Sequence, residues 1–209
     1  IRQEIEKSTS IAIVVPARQN IDQMGAALAL YLSLQSIGKQ VSVVSPQDPL
    51  VEVSNLVGID KVKKSFEGSA GGDLTVSFPY KEGEIEKISY TLEGGFLNII
   101  VKASSQGLTF DEKNVEFKRD SQGAPSVLFA IGVSGLSDLT STFNLDSLKD
   151  TRIINIDNNS QNQGFGDISL VDPNASSISE LVSNIILSSD LRLDIDSSQN
   201  VLSGISFAT

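Results

Sequence analysis

The sequence predicts an α/β fold: an open, mostly parallel sheet flanked by helices, with an antiparallel β-meander inserted at residues 66–123. Three observations predict it. Ile11 to Val15 and Val127 to Ile131 are fully apolar runs, as strands buried on both faces must be. Helical periodicities and further strand-like runs alternate around them. Residues 66–123 differ in texture, being punctuated by glycine and strand-like throughout.

Each element has its own signal. After the first strand a polar loop leads to Asp22, which looks like a helix start. Met24, Leu28, Tyr31 and Leu32 then recur at helical spacing, and Gly38 stops the helix. Val41 to Val44 is the next strand, and Leu50 to Val57 a weak short helix. Gly68, Gly71 and Gly72 open the insertion as a plain loop; the stretch lacks the Lys of a phosphate-binding loop. Leu74 to Phe78, Ile85 to Leu92 and Phe96 to Val101 follow as strands, with Glu93-Gly94-Gly95 as a hairpin turn. Phe110 to Phe117 is ambiguous, and the whole meander is expected at the edge of the main sheet. Residues 135–149 read as short helical pieces. Arg152 to Ile156 is a strand ending at Asp157, followed by an Asn/Gln-rich loop. Ile178, Leu181, Val182, Ile185 and Ile186 mark an amphipathic helix, N-capped by Ser176 or Ser177 with Glu180 behind it. Ser197 to Phe207 is a final helix.

Composition excludes whole classes of chemistry. The 209 residues contain no His and no Cys. There is therefore no imidazole base, no Ser-His-Asp triad, no disulfide and no zinc-thiolate site. Any metal would need oxygen ligands. A net charge of -10 argues against an extended nucleic-acid surface and against anionic membranes. No apolar run approaches the roughly 18 residues of a membrane span, and the N-terminus carries no signal-peptide pattern. The chain starts without Met and stops in apolar sequence, so a piece of a longer protein is expected. Lys61, Lys63 and Lys64 form a small basic cluster, read as a solvated face.

In an open parallel sheet a site lies beyond the carboxyl ends of the strands. Three loops end there: Pro16 to Asp22, Gly132 to Gly135 and Asp157 to Gly166. Asp22 and Asp157 each follow a central strand. As a pair in one crevice they would suit a hard cation. Singly, Asp22 reads as a helix N-cap and Asp157 as a turn residue bonded to its own loop amides.

The segment Asn155-Ile156-Asp157-Asn158-Asn159, with Asn162, Phe165-Gly166-Asp167-Ile168, Val171-Asp172-Pro173 and Ala175-Ser176-Ser177, resembles the third motif of the DHH phosphoesterases. Asn20-Ile21-Asp22-Gln23-Met24-Gly25-Ala26-Ala27-Leu28 resembles their first motif, and Leu202-Ser203-Gly204-Ile205 with Thr209 the start of their fourth. The resemblance covers residues 11–65 and 124–209, the meander between being outside the family pattern. It implies a DHH-like domain, related to oligoribonuclease and RecJ exonuclease kinds, whose C-terminal substrate-gripping domain has no counterpart before Thr209. It also implies a cytoplasmic setting.

Against that pattern the ligands are mostly replaced. The family's first His falls at Pro16, an Asp at Asn20, the second-motif Asp near Gly132, the two His of the name at Asn158 and Asn159, and the fourth-motif Asp at Ala208. Only Asp22 and Asp157 keep a ligand-type side chain. An Asn offers one weak amide oxygen where Asp offers a charge. Two dispersed carboxylates do not hold a pair of divalent ions about 3.5–4 Å apart. The expectation is thus a pseudo-phosphoesterase without catalytic residues, metal or cofactor, serving as a binding, scaffold or assembly module. Its expected crevice residues are Asn20, Asp22, Gly132, Asp157, Asn158, Asn159 and Asn162. Its partner would be a protein or a second copy, docked through the insertion. The alternative is a Mn2+- or Mg2+-dependent phosphoesterase acting on short oligonucleotides or nucleotide phosphates.

Overall fold

The structure is a computed structural model, and it describes residues 1–66, 74–109, 112–119 and 124–209. The glycine stretch 68–72 and Phe110, both read above, lie outside the described residues. In chain order the elements are α1 (Arg2–Lys7), β1 (Ile11–Val14), α2 (Ile21–Ser36), β2 (Val41–Val44), β3 (Val62–Lys63), β4 (Leu74–Ser77), β5 (Ile85–Glu93), β6 (Phe96–Ala103), β7 (Glu116–Arg119), β8 (Val127–Ile131), β9 (Arg152–Asp157), β10 (Ile168–Val171), α3 (Ile178–Ser188) and α4 (Ile195–Ala208). Short 3-10 turns fill the connections, notably at Leu136–Ser141 and Leu145–Leu148. The region read as a weak helix after β2 holds a single 3-10 turn, Val51–Val53.

Two units emerge, Ile1–Gly71 with Ser121–Thr209, and Gly72–Asp120. The first carries a six-stranded sheet in the order β10-β9-β8-β1-β2-β3, with every pairing parallel. Its central strands bury both faces. Ile11, Ile13, Val127, Phe129, Ile131, Ile154 and Ile156 face one way, into a core shared with α2, α3 and α4. Ala12, Val14, Leu128, Ala130 and Ile153 face the other, under Leu139, Phe143 and Leu148 of the 3-10 segment. This is the physical reason those strands read as unbroken apolar runs.

Helix α2 is apolar almost all round because it is surrounded, with α3 and α4 packed over it. Its N-cap lies two residues before Asp22. Asn20 is the N-cap: its Oδ1 accepts the Gln23 N–H at 2.9 Å while Gln23 Oε1 accepts the Asn20 N–H at 3.0 Å, a reciprocal capping box. The helix stops at Gly38, whose N–H donates to Gln35 O while that of Lys39 donates to Leu34 O. The small residues Gly25 and Gly204 let α2 and α4 meet closely: a Cβ on Gly25 would sit 2.7 Å from the carbonyl oxygen of Asn200. Asn200 itself is buried and brackets the backbone of Val57, accepting its N–H and donating to its carbonyl, both at 2.9 Å.

The second unit is antiparallel as expected, but nested rather than serial. β5 pairs with β6 inside a pairing of β4 with β7, and among the described residues no strand of the insertion pairs with the six-stranded sheet, where an edge position was expected. Glu93 pairs with Phe96, leaving Gly94 and Gly95 as a two-residue turn with both φ positive, at +61° and +81°. That backbone is the one a tight hairpin turn demands and glycine supplies at least cost.

Candidate functional site

The strand order places the switch in winding direction between β1 and β8. From β1 the chain runs outward through β2 to β3, and from β8 it runs outward through β9 to β10 on the other side. Loops leaving the carboxyl ends of β1 and β8 therefore diverge, and open a crevice. A cavity of about 500 Å³ lies there, lined by Val14, Pro16, Arg18, Val133, Asp138 and Thr140 among others. A larger depression of about 950 Å³ follows the outer face of α4, along Ile195 and Leu202, and includes none of the three strand-end loops.

The loop after β9 is held by Asp157, which is only 2% exposed. Its Oδ1 accepts the N–H groups of Asn158 at 2.9 Å and Asn159 at 3.2 Å, and its Oδ2 accepts from Asn162 Nδ2 at 2.7 Å. Asn162 is a hub. Its Oδ1 accepts from Asn155 Nδ2 at 2.7 Å and from the Gly164 N–H at 2.8 Å, and its amide also reaches the carbonyl of Val133 at 2.9 Å. Asn159 Nδ2 donates to Ser134 Oγ at 3.2 Å, and Asn158 Nδ2 to the carbonyl of Ala175 at 3.4 Å. Asp157, Asn158, Asn159 and Asn162 thus belong to one hydrogen-bonded network that laces the β9 loop to the β8 loop. The sequence reading of Asp157 as a turn residue describes its Oδ1 contacts; its Oδ2 contact with Asn162 closes the loop on itself.

Asp22 faces elsewhere. It is 4% exposed, and it is neither the cap of its own helix nor a partner of Asp157. Its Oδ2 accepts the Ile178 N–H at 2.8 Å and its Oδ1 the Ser179 N–H at 2.9 Å. Those are amide donors that the start of α3 leaves unpaired, and a carboxylate there also meets the positive end of the helix dipole. Ser177 Oγ, the cap of α3, accepts the Glu180 N–H at 3.0 Å, and Glu180 Oε2 accepts from the N–H and hydroxyl of Ser176. Expecting Asp22 at an N-cap had the right chemistry and the wrong helix.

Asn20 and Gly132 are joined through Gln23. The Gln23 amide caps Asn20 and donates toward the Gly132 carbonyl at 3.4 Å. Gly132 has φ +65°, and a Cβ built there would lie 2.6 Å from Gln23 Nε2 and 2.7 Å from its Cγ. The position has neither the backbone conformation nor the room for an acidic side chain. Gln23, Asn155, Ser179 and Gly204 are the site-building residues that sequence reasoning passed over. The partners of Ser179 and Gly204 lie far along the chain, Asn155 bonds Asn162 seven positions on, and the spacing of Gln23 from Asn20 was readable.

Three further carboxylates take part in local contacts. Asp167 Oδ2 accepts the Ile153 N–H at 2.8 Å, and its Oδ1 pairs with Arg152 at 2.7 Å. The amide contact first, and the guanidinium with it, lower the Asp167 pKa below the ordinary aspartate range. Asp194 caps α4, and hydrogen bonds from the Ser197 hydroxyl and N–H lower its pKa in the same way. Asp138 Oδ2 accepts the Gly135 N–H at 3.1 Å. Among the described residues no group of three or more acidic side chains is placed to hold a metal ion. No helix of the structure is long and apolar enough to cross a membrane.

No protein-family model matches the sequence, and neither does a curated protein. A solved structure shares the fold. It is the crystal structure of an exopolyphosphatase-related protein from Bacteroides fragilis, similar at TM-score 0.65 and 18% sequence identity. The likeness covers 99% of this chain and 48% of that one, so this chain spans about half its length. The α/β architecture expected from sequence is therefore one that this solved structure shares.

Proposed function

We propose that this chain is a catalytically degenerate DHH-like domain, in which the strand-end crevice has become a metal-free hydrogen-bonding surface and the domain acts as a binding and assembly module. One observation carries the reading. The two carboxylates at family ligand positions are both engaged by the protein itself, Asp22 by the first amides of α3 and Asp157 by its own loop and Asn162. A carboxylate committed to two or three donors has little left to offer an ion.

The residues present do not fit a pair of divalent metals. Pro16 and Gly132 bring no ligand, Asn158 and Asn159 bring amides already bonded to the Ala175 carbonyl, Ser134 and the Gln161 N–H, and Ala208 lies exposed near the end of α4. Without bridging ligands there is no means of lowering the pKa of water or of neutralising a phosphoryl group. What remains at the strand-end cavity is Arg18 with Gln47, Asp138 and the hydroxyls of Ser137, Thr140 and Ser141, a polar lining suited to a small neutral or phosphorylated ligand.

The competing reading is a divalent-metal phosphoesterase acting on short oligonucleotides or nucleotide phosphates, supported by the fold it shares with the exopolyphosphatase-related protein. Hydrolysis of a generic phosphodiester and a short oligoribonucleotide with manganese separates the two, run beside Asp157→Asn and with manganese binding measured calorimetrically. No turnover and no manganese binding is expected. Turnover that disappears in Asp157→Asn overturns the proposal.

A further inference from the structure

The β5–β6 hairpin gathers apolar side chains on one face and mixes polar and apolar ones on the other. Its register opposes Ile88 to Val101, Tyr90 to Ile99 and Leu92 to Leu97, so one face is entirely apolar over three successive cross-strand pairs. The opposite face carries Lys87 against Lys102, Ser89 against Ile100, Thr91 against Asn98 and Glu93 against Phe96. On that side Asn98 Nδ2 donates to Thr91 Oγ1, and Lys102 pairs with Glu86 at 2.8 Å. Such alternation marks an antiparallel sheet with one wet face and one buried face. Here both faces are open, the wholly apolar one included: Tyr90 is 69% exposed, Leu92 73% and Leu97 61%, with Ile88 and Ile99 also more than half exposed.

We propose that this face is the seat of a second copy of the chain, two hairpins stacking face to face about a two-fold axis. Three arguments select that occupant. The face is uncharged across its whole length, so it is self-complementary and a two-fold axis brings no like charges together. Its five exposed residues form a contiguous apolar patch on the order of 600 Å², at the top of what a monomer leaves uncovered. Two copies would remove about 1,200 Å² from water, which reaches the range of stable interfaces. An isolated two-stranded hairpin is also marginal in water, and stacking supplies the second layer it needs. The inference names a partner for the assembly reading above, and it is independent of the chemistry of the strand-end crevice, so failure of either leaves the other standing.

Sedimentation equilibrium of the full 209-residue chain tests it. A dimer is expected, and Ile99→Lys, at the centre of the face, should weaken it by at least about tenfold. The absence of Cys from the chain allows a second test that tolerates no unfolding. Leu92→Cys and Thr91→Cys each add one thiol, one residue apart and on opposite faces. A short bis-maleimide should link copies of the first and not of the second. A chain that stays monomeric at every concentration, or equal cross-linking of both variants, overturns the proposal, the first outcome directing attention to a different protein on this face and the second to pairing through the strand edges.

Discussion

Asp22 and Ser179 hold each other from two helices. The Ser179 N–H donates to Asp22 Oδ1 at 2.9 Å, while the Ser179 hydroxyl donates to the Asp22 carbonyl at 3.1 Å. Both residues are buried, and Gly204 of α4 packs so closely that a Cβ there would fall 3.0 Å from Asp22 Oδ1. Three helices therefore meet at this one carboxylate.

If Asp22 is structural, replacing it should cost fold rather than function. Asp22→Ala strands two buried amide donors at the start of α3 and should destabilise the chain by about 2–4 kcal/mol. Urea denaturation would show a lower midpoint at unchanged slope. A midpoint equal to that of the parent would mean the α3 amides do not need the carboxylate.

Gly204→Ala should be costly for a different reason. The new Cβ would lie 2.0 Å from Ser179 Oγ and 2.9 Å from its Cβ, so the helices must part or the serine must turn out of its hydrogen bond. A loss of about 1–3 kcal/mol is expected. Gly38→Ala, where nothing lies within 4 Å of the added carbon, serves as the uncrowded control for thermal unfolding and pays only for its backbone conformation.

Asn162 joins Asp157, Asn155, Gly164 and Val133, so Asn162→Ala leaves several buried groups unpaired at once. It should cost about 2–4 kcal/mol. Hydrogen exchange should report faster opening confined to the loop after β9. Exchange that accelerates equally across the sheet would contradict the local role.

Asp167 gives a pH dependence with a definite sign. Its folded pKa is lowered, first by the Ile153 amide and then by Arg152, so the folded state prefers the ionised form. The stabilisation is whole above the ordinary aspartate value of 3.8 and is lost as the pH falls through the lowered one. Asp167→Asn should flatten that acid limb in a stability-against-pH profile, with a small effect at neutral pH because the Arg152 pair is partly exposed.

An acidic side chain at Gly132 is expected to be poorly accommodated by itself. Gly132→Asp meets the Gln23 side chain and a positive φ, and should lower the melting temperature. Adding Gln23→Ala should recover part of the loss, since it removes the obstruction but not the backbone strain. Full additivity of the two changes would show that Gln23 does not fill that space.

The parts of this fold legible from sequence are those whose cause is local. β1 and β8 announced themselves because a strand covered on both faces has no polar position to hide. α3 followed from spacing alone, and its cap was narrowed to Ser176 or Ser177, of which the structure uses Ser177. β10 escaped notice because Ile168–Val171 is a short, half-exposed edge strand beside a polar loop, and α1 because only Ile5 of it is buried. The nesting of β4–β7 around β5–β6 lies in pairing, which alternation within a strand does not encode. At the site, the loop contacts of Asp157 were readable since their donors are the next two residues. The partners of Asp22 stand 156 and 157 positions away, and no spacing rule reaches that far.

The clasp of Asn200 on the Val57 backbone bears on how the chain is made. The β1–α2–β2 unit is synthesised early, yet α2 is sealed only when α4 arrives with Gly204 and Asn200. Until then a nearly all-apolar helix waits on the nascent chain with one flank bare, through translation of the whole antiparallel unit. The early half of this domain therefore completes its burial only once residues 195–208 have been made.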